Sequence, residues 1–162
     1  MKIAVLYYSR GGTTRRMAQA ICRGACSVPG CQAMAFPLEE VDKAFLEESR
    51  AVIFGTPTYY AGEAWPVKKW VDESRPYQLA GKLGGAFATA DYLQGGAGQA
   101  VEFLIRSMLV KGMLVYSGGS ALGQPYIHLG PVALHGREEE SEPLFETFGR
   151  RMAQKAAELF EP

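Results

Sequence analysis

Hydroxyl, glycine and tyrosine side chains gather in three short clusters of this chain, and together they could hold a phosphorylated aromatic ligand. The first cluster is Ser9-Arg10-Gly11-Gly12-Thr13-Thr14. It follows the apolar run Ile3–Tyr8 and precedes a stretch with helical apolar spacing. A strand that delivers such a loop to a helix start makes an anion site. The first N–H groups of the helix have no partner there, and the helix dipole favours negative charge. Ser9, Thr13 and Thr14 add hydroxyls, while Gly11 and Gly12 let the backbone turn tightly and approach a ligand. Arg10 can pair with a phosphate or face water. The loop contains neither G-x-x-x-x-G-K-[ST] nor G-x-G-x-x-G, so it matches neither the triphosphate loop nor the dinucleotide fingerprint. A monophosphate held by amides and hydroxyls fits this composition. So does an unliganded βα turn with a Ser/Thr cap.

The second cluster is Thr56-Pro57-Thr58-Tyr59-Tyr60-Ala61-Gly62, and the third is Thr89-Ala90-Asp91-Tyr92-Leu93-Gln94-Gly95-Gly96. A flat heterocycle needs rings or flat backbone to stack on and amides for its heteroatoms. Tyr59, Tyr60 and Tyr92 supply rings; Gly62, Gly95 and Gly96 allow close backbone approach. Packing at strand ends is the alternative role for these tyrosines. Asp91 would disfavour a nearby anionic ligand or cap the following turn.

Other reactive side chains carry less. His128 and His135 lie seven apart with no third ligand in view, so no metal site is expected. His128 or Tyr126 could still face a ligand. Cys22, Cys26 and Cys31 form neither a Cys-x-x-Cys motif nor an even set, which argues against a zinc site and a disulfide framework. Cys22 and Cys26 share a helix face and are expected to be small buried residues. No general acid, base or nucleophile is assigned.

The elements that must position these clusters alternate along the chain. Strands are expected at Ile3–Tyr8, Cys31–Phe36, Ala51–Gly55, Gly84–Thr89 and Met113–Tyr116. Helices are expected at Thr13–Ser27, Leu38–Ser49, Glu63–Glu73, Gly98–Val110 and Glu138–Phe160. Such alternation implies an α/β fold with a mostly parallel, doubly wound sheet. Ligands of open α/β sheets bind beyond the C-terminal strand ends, where the three clusters would meet. Residues 117–137 form a long Gly/Pro-rich loop, with Tyr126–Leu129 as a candidate hidden strand.

The chain has 162 residues, which suits one domain over 1–162. Seventeen basic and seventeen acidic residues cancel, so there is no basic field to draw nucleic acid or anionic lipid. No apolar stretch reaches the roughly 20 residues of a membrane span, so membrane insertion is not expected. No signal-peptide pattern is seen, and a cytoplasmic location is expected. Trp65 and the long loop are candidates for an interface.

The run Val5-Leu6-Tyr7-Tyr8-Ser9-Arg10-Gly11-Gly12-Thr13-Thr14, followed by Ala18 and Ile21, resembles the N-terminal signature of the flavodoxin-like FMN-binding family. Gly55-Thr56-Pro57-Thr58-Tyr59 resembles that family's second loop. The resemblance implies a three-layer fold, a five-stranded parallel sheet in the order 2-1-3-4-5 with helices on both faces, and bound FMN. It implies that Ser9, Arg10, Gly11, Gly12, Thr13 and Thr14 hold the phosphate. Pro57, Thr58, Tyr59, Tyr60 and Gly62 would line one ring edge, and Thr89, Ala90, Asp91, Tyr92 and Gly95 the other. Two branches compete. Electron-carrier flavodoxins are typically acidic, a charge that steers docking to basic partners, and this chain is neutral. Gly55–Thr58 and the Gly/Gln-rich third loop look more like NAD(P)H:quinone oxidoreductases of the tryptophan-repressor-binding-protein type and related FMN reductases. That branch implies NAD(P)H as donor, a quinone-like acceptor or redox protein as partner, and assembly as a homo-oligomer, dimer or tetramer. The carrier is the alternative. Asp91-Tyr92-Leu93 and the short segment between the second and third strands depart from the oxidoreductase branch.

Overall fold

The computed structural model describes residues 1–160. Strands β1 (Lys2–Tyr7), β3 (Ala51–Tyr59) and β5 (Leu83–Ala90) form the centre of the sheet. They are near-continuous apolar runs because both faces of the sheet are covered. Successive residues go to opposite faces: Ile3, Val5, Ile53 and Phe87 share one core, while Ala4, Leu6, Val52, Phe54 and Ala86 share the other. Helices α1 (Thr13–Cys26) and α5 (Glu138–Phe160) close the first core with Met17, Ile21, Phe145, Phe148 and Met152. Helices α2 (Lys43–Glu48), α3 (Trp65–Glu73) and α4 (Ala97–Val110) close the second with Phe45, Leu46, Val67, Leu104 and Met108. The result is a three-layer α/β fold.

With β2 (Gln32–Pro37) and β6 (Leu114–Val115), the parallel path runs β2-β1-β3-β5-β6. This is the expected 2-1-3-4-5 order when only the strands of that path are counted. The expectation of five strands is corrected to seven among the described residues. β4 (Gly62–Glu63) folds back antiparallel on β3, and β7 (Val132–Leu134) lies parallel to β5. The helix expected from Glu63 therefore begins at Trp65, where Pro66 suits a first turn. The helix expected over Leu38–Ser49 is also shorter. A single 3-10 turn, Leu38–Glu40, precedes α2, whose Asp42 cap accepts a hydrogen bond from the Phe45 amide at 3.0 Å.

The fifth position of the sheet is split, which matters most for the site. β6 pairs with the start of β5, at Leu83 and Gly84; β7 pairs with its end, from Ala88 to Ala90. The strand expected at Tyr126–Leu129 does not form, and Ile127 makes only an isolated bridge to Gly119. Gly130 gives the reason for the later start. A Cβ on it would lie 2.1 Å from the Ala86 carbonyl oxygen, so only glycine can bring the chain this close to β5. The excursion between β6 and β7 is tied to α5 by Arg151. Its guanidinium donates to the Pro125 carbonyl at 2.8 Å and reaches those of Leu122, Gly123 and Gln124 at 3.3–3.4 Å.

The expectation of two buried cysteines is corrected: Cys22 is only half-buried. Burial, reinforced by the neighbouring Cys26 and Cys31 and opposed by Arg23, pushes the Cys22 thiol up to about 12. Cys26 is exposed, not buried, and its sulfur accepts a hydrogen bond from the Ala33 amide at 3.3 Å.

Candidate functional site

A cavity of about 500 Å³ opens beyond the C-terminal ends of β1, β3 and β5. The loop after β1 contributes Ser9, Arg10, Gly11, Thr13 and Thr14. Gly12 takes φ 99°, a left-handed conformation open to glycine, and starts α1 with no side chain capping the helix and no acidic residue in its first turn. The helix therefore presents amides and a positive dipole end toward the cavity loop. Ser9 Oγ accepts the Gly12 N–H at 3.1 Å, which leaves the serine O–H able to donate. Thr14 and Thr89 are buried and share one hydrogen bond, Oγ1 to Oγ1, at 2.8 Å. Two hydroxyls with one bond between them retain one proton for a ligand.

Thr13 is used differently from the expectation. Its hydroxyl donates to Glu138 Oε1 at 2.8 Å, and His135 Nδ1 lies 3.0 Å from the same hydroxyl and 3.1 Å from the carboxylate. Burial alone would raise the Glu138 carboxyl. Hydrogen bonds from Thr13 and the local backbone, with the His135 charge, outweigh that and hold it at about 2. A depressed carboxyl stabilises the fold above its unfolded value near 4.5, and this contribution is lost as pH falls toward 2. Accordingly Glu138→Gln should lower the urea midpoint at pH 6, with the gap to the parent closing toward pH 2. A gap that is constant with pH would contradict this account.

The loop after β3 contributes Pro57, Thr58 and Tyr59. Thr58 Oγ1 is buried without a hydrogen-bond partner, the one such side-chain atom among the described residues. A buried orphan hydroxyl costs about 1–3 kcal/mol, so its presence on a cavity wall points to a polar ligand atom. Burial, aided by Tyr8 and Asp91 and opposed by Arg10, pushes the Tyr59 phenol up, which keeps its O–H a donor at neutral pH. Thr56, the first residue of the second cluster but not among those expected to line the ring, holds this loop. Its hydroxyl accepts from the Ala64 amide at 3.1 Å and donates to the Pro57 carbonyl at 2.8 Å. Its sequence signal is its place at the head of the second cluster, directly after the apolar run Ala51–Gly55.

Tyr59 and Gly62 pair across a two-residue hairpin whose central residues, Tyr60 and Ala61, both take positive φ, 50° and 62°. Such a turn normally carries Asn-Gly, and each side chain in the left-handed region costs about 1–2 kcal/mol. Ala61→Gly should therefore raise thermal stability by about 0.5–1 kcal/mol, the strain relief exceeding the entropy cost of glycine. A lower midpoint would show that the turn is unstrained.

The loop after β5 contributes Thr89, Ala90 and Asp91, and His135 completes the wall. Five expected residues lie off it for identifiable reasons. Gly12 faces an adjoining cavity of about 510 Å³ that also involves Ser9, Arg10 and Arg15. Tyr60 projects fully into solvent from the hairpin tip, and Gly62 is the pairing partner of Tyr59. Tyr92 is 68% exposed, its carbonyl accepting the Gly95 amide at 3.0 Å in a tight turn. Gly95 thus shapes the turn, and Gly96 follows it so closely that a Cβ would lie 2.6 Å from Ala61 Cα. The third loop therefore seats the hairpin. Neither Tyr126 nor His128 lines the cavity; their rings stack on each other at 6.3 Å. His135 takes the place expected of them, delivered by the split edge strand through its amide bond to the Ala90 carbonyl at 2.9 Å. Among the described residues, no group of three or more His, Cys, Asp or Glu could hold a metal ion, and no helix is long and apolar enough to cross a membrane.

A family model described as Flavodoxin matches residues 5–121. The chain is 45% identical over 160 residues to a protein named flavodoxin from Clostridium saccharobutylicum, spanning 99% of this chain and 100% of that one. It is 27% identical to a protein named NAD(P)H dehydrogenase (quinone) from Solidesulfovibrio magneticus, over 83% of this chain and 77% of that one. A flavodoxin, WrbA-like protein from Agrobacterium tumefaciens superimposes with a TM-score of 0.79 at 27% identity, covering 97% and 98% of the two chains.

Proposed function

The chain belongs to the flavodoxin family, and on that premise we propose that it binds FMN and serves as an electron-transfer protein between redox partners. The observation that carries this reading is the cavity itself. Its wall combines residues of an uncapped helix N-terminus with Thr58, whose hydroxyl has no partner, so an anion subsite and a polar contact belong to one cavity. FMN, when bound, supplies one- and two-electron redox chemistry that no side chain of the cavity provides. The loop Ser9–Thr14 would hold its phosphate through amides, the Ser9 hydroxyl and the spare proton of the Thr14–Thr89 pair. Thr58, Tyr59 and the 89–91 backbone would orient the ring and keep water from its buried edge.

This reading departs from the weight that the third loop and neutral charge give to an oxidoreductase. Net charge governs how fast partners meet, not which reaction follows, and the 45% identity to a flavodoxin spans the whole of that relative. The second reading is an NAD(P)H-dependent quinone reductase, favoured by the 27% identical relative and the WrbA-like structure. A cytoplasmic site of action and a soluble redox protein as partner accompany the carrier reading; a small quinone-like acceptor and a dimer or tetramer accompany the other.

The purified protein mixed with FMN distinguishes them. The carrier should quench flavin fluorescence on binding and keep its yellow absorbance when NADPH or NADH is added under argon. Bleaching within seconds, followed by turnover with a quinone, would favour the reductase. No change in FMN fluorescence would overturn both.

A further inference from the structure

Building on the FMN reading, we infer that His135 is a side-chain ligand of the flavin phosphate, bound as an imidazolium that Glu138 holds in place. His135 lines the same cavity as Ser9, Gly11 and Thr13, and its ring nitrogen lies against the Thr13 hydroxyl at the start of α1. Its Nδ1 is already engaged, 3.0 Å from the Thr13 hydroxyl and 3.1 Å from Glu138 Oε1. Because Thr13 gives its proton to Glu138, Nδ1 must be the donor in both of its contacts. This fixes the tautomer. In the neutral ring Nε2 then carries a lone pair, which opposes a phosphate oxygen. Protonation turns Nε2 into a charged donor, the stronger class of hydrogen bond.

The surrounding charges favour this state once the anion is present. Glu138 is an anionic acceptor, and without a cation between them its carboxylate and the phosphate would repel across Thr13. The other charged or titratable groups on the cavity are Arg10, Tyr59 and Asp91. On the helices behind it, Arg16 is occupied by Glu142 and Glu139, so its charge is committed to α5. His135 is the group placed to bridge Glu138 and the ligand. The bound proton comes from solvent and leaves with the flavin.

Paired titrations with FMN and riboflavin test this, because riboflavin lacks only the phosphate. The parent should prefer FMN, and His135→Gln should weaken FMN binding about tenfold or more while leaving riboflavin affinity unchanged. At pH 8 the phosphate is a dianion and an unperturbed histidine is neutral. Calorimetry there in two buffers of different ionisation enthalpy should find close to one proton taken up per FMN by the parent, and none by His135→Gln or with riboflavin. Unchanged FMN affinity in the variant, equal losses for both flavins, or no proton uptake by the parent would each overturn the role of His135. A parent that binds neither flavin would instead overturn the FMN reading, and this inference with it.

Discussion

Gly149→Ala should destabilise the protein by about 3 kcal/mol, the upper part of the range for overpacking. In most helices this substitution would help, since alanine is better than glycine by about 1 kcal/mol. Here packing outweighs propensity. A Cβ on Gly149 of α5 would lie 2.0 Å from the Ile21 carbonyl oxygen of α1, and one on Gly24 of α1 would lie 1.9 Å from the Glu146 carbonyl oxygen of α5. The two helices cross through reciprocal glycines, backbone against backbone. No rotamer change can relieve such a contact; the helices must separate, and Phe145, Phe148 and Met152 then lose their packing on the sheet. Gly24→Ala should cost a similar amount, and the double variant less than the sum, because one separation accommodates both methyl groups. Gly98→Ala is the control. It lies in α4 with nothing near its missing Cβ and should stabilise by about 0.5–1 kcal/mol. Urea midpoints at unchanged slope measure all four. A neutral Gly149→Ala would mean that α1 and α5 do not approach this closely in solution.

That crossing also shows what can be read from residue order alone. The apolar stripe of α5 and the period-two alternation of β1 are local patterns, so both elements and the face they bury were legible. The glycines inside α1 and α5 look merely unfavourable in sequence, because their purpose lies in a partner more than a hundred residues away. The same holds at the cavity. Ser9, Thr14, Thr58 and Thr89 announce themselves as hydroxyls at strand ends. His135 does not, because its position depends on the edge strand breaking at β6 and resuming at β7. That break follows from Gly130 meeting β5 and from Arg151 gathering the carbonyls of residues 122–125, both tertiary contacts. Tyr60 and Tyr92 illustrate the converse. Their composition suits a ring-binding loop, yet the hairpin and the turn at Gly95 carry both side chains outward.

Thr58→Val should separate stability from ligand binding. Valine has nearly the shape of threonine and suits β3, where Thr58 pairs with Glu63. In the ligand-free protein it removes the buried hydroxyl that lacks a partner, so the urea midpoint should rise by the equivalent of about 1–2 kcal/mol. For FMN binding the same substitution should be unfavourable. The variant loses the donor that would meet the ring, and affinity should fall roughly tenfold to a hundredfold, since each tenfold is about 1.4 kcal/mol. Ligand stabilises by RT ln(1 + [L]/Kd), so at saturating FMN the parent should regain most or all of the difference. Thr58→Ser, which keeps the hydroxyl, should retain most of the parent's affinity. If valine instead lowered the ligand-free midpoint, the hydroxyl would have to be satisfied by ordered water. The cavity would then be a solvated cleft at that end, and the polar contact that supports flavin binding would have to come from the 57–59 and 89–91 backbone alone.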